Sequence, residues 1–119
     1  MKYACLIYGD GNLVEPLPPS EMEKLTAEGV AFDEELRRTG HFIDAQALAP
    51  AQAAATIRRH DGNLSMTDGP FAETKEQLGG FFLIEARDLN EAVRIASRHP
   101  CMQWDAIEVR PVRELYSGS

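Results

Sequence analysis

Five side chains in this chain of 119 residues offer chemistry by type and position: His99, Asp68, Tyr8, Arg58 and Lys75. His99 extends the apolar stripe Leu89, Ala92 and Ala96, so it points inward or toward a cleft. It also closes a helical stretch, where the helix dipole favours a protonated imidazole. A general acid or base there needs a partner within hydrogen-bond reach, and Asp68 is the first carboxylate to consider. Two readings stand side by side. In one, His99 and Asp68 form a catalytic pair. In the other, His99 serves only the dipole while Asp68 shapes its turn, accepting from the Phe71 or Ala72 amide because Pro70 has no N–H to give. Tyr8, Arg58 and Lys75 are candidate ligand contacts, with Lys75 meeting an anionic group. Their structural alternatives are packing for Tyr8 and a solvated run of alternating charge for Glu73, Lys75 and Glu76.

Other chemistries find little support. His99 and Cys101, taken with His41 or His60, match no metal-ligand spacing, so no metal is expected. Gly9-Asp10-Gly11 lacks the lysine and the following helix of a phosphate loop, and no Gly-x-Ser-x-Gly elbow is present. No cofactor is expected. The net charge of −7, from 19 acidic and 12 basic residues, repels a phosphate backbone, which argues against nucleic acid. No stretch approaches the roughly 20 apolar residues of a membrane span, and the apolar run Tyr3 to Tyr8 is too short for a signal-peptide core. Two cysteines make no disulfide framework, so the cytoplasm is the expected compartment.

These residues must be positioned by a single domain, 1–119, of β-α-β-(hairpin)-β-α-β order. Tyr3 to Tyr8 and Phe81 to Ala86 are strands apolar on both faces, Glu85 excepted. A loop with prolines at 16, 18 and 19 precedes a helix that Ser20 and Glu23 open as a capping box. Met22, Leu25, Gly29, Phe32 and Leu36 form its stripe, with Gly29 expected to pack closely on the sheet. Gly40 is its left-handed cap. Phe42 to Leu48 is a strand, Thr56 to His60 and Leu64 to Thr67 pair about Asp61-Gly62-Asn63, and Asp88 with Glu91 opens a second helix that stops before Pro100. Ile107 to Val112 is an edge strand, as Pro111 requires. The stretch Asp68 to Gly80 turns the chain out of the hairpin into a central strand, where Gly79-Gly80 allow close approach. This is the ferredoxin-like, split βαβ pattern of an α+β protein. Two helices cover one face of its sheet only, and a second copy packed sheet to sheet is the simplest cover for the other.

With Asp68-Gly-Pro-Phe71, "AETKEQLGGFFLIEARDLNEA" behind it and "IEVRPV" near the end, the chain resembles the YCII-related proteins, in the subgroup named for its Asp-Gly-Pro-Phe motif. The resemblance runs from "MKYACLIYG" to "RPV". It implies a ferredoxin-like fold and a homodimer of the dimeric α/β-barrel kind. Family members are mostly uncharacterised. An enzymatic role proposed for them rests on a cleft with a His and an Asp, and subgroup members often occur beside alternative sigma factors. Gly29 stands here at the helix position of that His, and His99-Pro100 at the Asp-Pro position, so the dyad transfers to neither. Two functions follow: a small-molecule enzyme or binder with a polar cleft at the dimer sheet, or a noncatalytic regulatory or interaction protein linked to an alternative sigma factor.

Overall fold

The two strands that read apolar on both faces lie at the centre of an antiparallel four-stranded sheet. The computed structural model describes residues 1–10 and 17–115. In chain order they form β1 (Lys2–Asp10), α1 (Pro19–Arg38), β2 (Phe42–Ala47), a 3-10 turn (Ala51–Ala53), β3 (Ala55–His60), β4 (Asn63–Asp68), β5 (Glu76–Glu85), α2 (Leu89–Ala96), a second 3-10 turn (Pro100–Gln103) and β6 (Ala106–Pro111). The sheet order is β2-β5-β1-β6, and among the described residues β3 and β4 pair as a separate two-stranded sheet. This is the ferredoxin-like α+β arrangement. Pro111 sits on the edge strand β6, where its missing N–H costs no ladder bond.

Alternation along the strands divides the sheet into two faces. Tyr3, Cys5, Phe82 and Ile84 turn toward the helices and form the core with Phe32, Leu36, Ala92, Ile95 and Ala96. Phe32 meets Phe82 edge-on at 5.6 Å. The opposite face carries Ala4 and Leu6 paired with Leu83 and Phe81, and among the described residues no helix covers it. Gly79 is the extra residue of a bulge, since Ile7 pairs with Gly80 and Tyr8 with Leu78. At Gly80 a Cβ would stand 2.9 Å from the Gln46 carbonyl oxygen. Only glycine lets β2 approach there.

Several local expectations give way to packing. α1 starts at Pro19 with Pro18 in the cap position and no side-chain cap bond, so Ser20 and Glu23 form no capping box. A proline at the first helical position presets the backbone, and the Pro18 carbonyl accepts from Glu21 and Met22 at 2.9 and 3.0 Å. Gly40 does cap the helix with positive φ, and His41 N–H returns to Leu36 O at 2.8 Å. Of the α1 stripe, Phe32 and Leu36 are buried while Met22 is exposed. Gly29 is not closely packed: a Cβ there meets nothing within 4 Å. On α2 the buried positions are Ala92, Ile95 and Ala96, whereas Leu89 and Val93 are exposed. β1 continues past Tyr8 to Asp10, and β5 begins at Glu76 rather than Phe81. The loop expected beyond Asp10 falls at 11–16, outside the described residues. Among the described residues no helix is long and apolar enough to cross a membrane.

Candidate functional site

Where β1 ends and β5 and β6 begin, the sheet end opens into a cleft of about 840 Å³. Its walls come from the chain on either side of the hairpin, including Pro50 and Pro70. Antiparallel pairing sets Asp10 opposite Glu76. Asp105 enters from the neighbouring β6 side, held by its N–H donating to Cys101 O at 2.8 Å. Its carboxylate rests on the Gly9 backbone, since a Cβ on Gly9 would collide with Asp105 Oδ1 and lie 3.1 Å from its Cγ. The glycine is what admits the carboxylate. Burial first, and then the charge of Glu76, raises the Asp105 pKa above the usual carboxylate value. Lys75 brings a largely exposed ammonium within 4.0 Å of Asp10 Oδ2. The cleft therefore joins a carboxyl group whose pKa is raised by burial to a cation able to meet an anionic substituent. Its volume lies in the range of small-molecule sites. A smaller hollow of about 540 Å³ shares Pro50, Pro70 and Leu78 and adds Tyr8 and Phe71.

The five sequence candidates are dispersed. Lys75 lines the cleft and Tyr8 the adjoining hollow, with the Tyr8 hydroxyl donating to Glu108 Oε1 at 3.4 Å. Arg58 stands 4.7 Å over the Phe71 ring, a cation–π contact at the hollow's rim. Asp68 ends β4, exposed. Among the described residues no hydrogen bond from Phe71 or Ala72 reaches it, and Gly69 N–H bonds instead to Ala54 O at 2.7 Å.

His99 departs furthest from expectation. α2 ends at Ala96, so His99 lies beyond its last turn and caps the following 3-10 turn, with Nδ1 accepting from Cys101 N–H at 3.0 Å. The ring stacks on Phe82 at 5.1 Å and meets Phe32 edge-on at 5.0 Å. This burial lowers the His99 pKa, and the nearby Asp33 opposes the shift only in part. The environment thus favours the neutral ring, the reverse of what a helix dipole would do. The carboxylate acting on His99 is Asp33 of α1, and the structure does not bring Asp68 to it.

The cysteines stay protonated. Burial pushes the Cys5 thiol up to about 12 and, with Asp105, the Cys101 thiol to about 11, leaving no thiolate nucleophile at neutral pH. Asp105, Asp10 and Glu76 share no sequence signal because they come from three distant segments: the end of β1, the start of β5 and the residue before β6. The Gly9-Asp10 pair at a central strand end was the one local signal.

An antiparallel sheet with two helices on one face and a polar cleft at its end defines a class that hosts many activities. The YCII-related domain profile matches residues 1–116, and the chain belongs to that family. It is 38% identical over 96 residues to an uncharacterized protein of Rhizobium meliloti, covering 81% of this chain and 77% of that one. Among solved structures it is similar to a 5-chloro-2-hydroxyhydroquinone dehydrochlorinase from Burkholderia phenoliruptrix, determined in complex with 2,5-dihydroxybenzoquinone. That likeness has a TM-score of 0.52 at 15% identity and covers 95% of this chain and 94% of the other. It shows the fold.

Proposed function

We propose that the protein acts as a homodimer that binds, and exchanges a proton with, a small organic molecule bearing an anionic or acidic group. The observation that carries this reading is the Asp105 carboxylate, set over Gly9 in a cleft of about 840 Å³ with its pKa raised. Lys75 orients the anionic group from the cleft wall, and Tyr8 borders the adjoining hollow. The bound dihydroxybenzoquinone of the Burkholderia enzyme supports a small planar ligand for this scaffold.

The homodimer reading rests on shape. The molecule measures 47 × 45 × 19 Å, with a radius of gyration of 16.4 Å, against about 13.5 Å for a compact domain of this length. Ala4, Leu6, Phe81 and Leu83 line the face without helices, between Asp44 and Gln46 on one edge strand and Glu108 and Arg110 on the other. An apolar centre with a polar rim is the anatomy of an interface.

A thermal-shift screen of phenols and small organic acids tests the cleft, because a ligand bound only to the folded state raises the midpoint. A hit should lose its shift in Lys75→Ala and change its pH dependence in Asp105→Asn. Hits indifferent to both substitutions would place binding elsewhere.

A further inference from the structure

We propose that the β3–β4 hairpin is an intersubunit arm whose apolar face seats on a second copy of this chain. The inference rests on the homodimer reading above and adds to it a contact that the sheet face does not supply. Pairing in the hairpin sets Ile57 opposite Met66 and Arg59 opposite Leu64 on one side, with Thr56, Arg58, Ser65 and Thr67 on the other. The arm is therefore amphipathic. Its polar side needs only water, but its apolar side has no cover: Ile57, Leu64 and Met66 are 65%, 63% and 69% exposed. An isolated two-stranded hairpin is marginal in water, and an apolar face packed on something else is what makes one persist. The turn itself is built to hold the register, with Asp61 at φ 50 and Gly62 at φ 79, the two-residue type I′ geometry that matches strand twist.

The occupant is argued from area and charge. The chain exposes 8755 Å², whereas a compact monomer of 13.2 kDa exposes about 6,400 Å². The surplus, roughly 2,300 Å² per chain, matches what each subunit of an obligate homodimer loses on assembly. Two arginines (Arg58, Arg59) and two aspartates (Asp61, Asp68) leave the arm neutral, so the whole net charge of −7 sits on the rest of the chain. A neutral, apolar-faced arm can approach a second acidic body without the repulsion that two bodies feel. An arm exchanged across a two-fold axis is buried twice, once for each subunit.

Sedimentation equilibrium from nanomolar to micromolar concentration tests the arm through the Ile57→Thr/Met66→Lys double variant. Both positions face solvent within one chain, and Thr keeps strand propensity. The variant should fold normally by circular dichroism and dimerise at least about tenfold more weakly than wild type. A wild-type dimer paired with an unchanged variant Kd overturns the arm and leaves the homodimer standing. A wild-type chain that stays monomeric throughout the range overturns both. Amide exchange offers a reading without substitutions: protection across Ile57–Arg59 and Leu64–Met66 should rise with protein concentration. Exchange equally fast at every concentration refutes the docked arm.

Discussion

His99 and Asp105 are both half-buried titratable groups with a shifted pKa, and only one of the two has room beside it. On the helix side of the sheet, His99 is enclosed by Phe32, Phe82 and the backbone of the following turn. At the sheet end, Asp105 faces a cleft of about 840 Å³. Burial is the leading cause of both shifts, and it favours the neutral form each time, lowering the pKa of a base and raising that of an acid. A shifted pKa records desolvation. Whether desolvation serves packing or chemistry is decided by the space left for a reacting molecule.

The largest effect should come from opening the packed site. Phe82 is fully buried against Phe32 and His99, so Phe82→Ala is expected to cost about 3–5 kcal/mol in denaturant unfolding. The same variant should raise the His99 pKa toward its ordinary value by admitting water. A His99 titration unchanged in a folded Phe82→Ala protein would mean that the ring stack is not what desolvates it.

Gly9→Ala is the matching perturbation at the open site. The new methyl must displace the Asp105 carboxylate, at an expected cost of about 1–3 kcal/mol. Asp105→Ser in the same chain should recover most of that loss, and additivity of the two changes would contradict the contact. Gly29 provides the contrast, because open space surrounds its Cβ position in the middle of α1. There Gly29→Ala should raise stability by roughly 1 kcal/mol through helix propensity alone. A lower thermal midpoint would reveal a neighbour at that position.

The smallest effect discriminates between carboxylates. Asp33→Asn removes the charge that props up the His99 pKa, so an NMR titration should move further down, while Asp68→Asn should leave it in place. The sign for stability follows from proton binding. With a folded pKa below the unfolded one, His99 makes the unfolded chain the stronger proton binder between the two values. Its contribution to stability therefore falls as pH drops through the unfolded pKa near 6.5, and the loss is complete below the folded pKa. Asp33→Asn should widen that window. A narrower window would reverse the assigned coupling.

The sequence by itself determined the order of elements, the central strands and the hairpin, because each depends on neighbours in the chain. Alternating side chains around Phe82 and Cys5, the positive φ that Gly40 and Gly62 accept, and the N–H that Pro111 lacks are local constraints. Asp88 behaves the same way, its side chain accepting from Glu91 N–H at 2.9 Å. The tertiary structure alone decided the rest. His99 falls on a helical stripe only if the helix runs through to it; the chain leaves the helix after Ala96 and turns the ring onto Phe82 of β5. Asp10, Glu76 and Asp105 are far apart in sequence, and the antiparallel pairing of β1 with β5 and β6 gathers them at one end. Which carboxylate meets a histidine, and which meets open space, depends on contacts between distant segments. Residue type and spacing carry no record of those contacts.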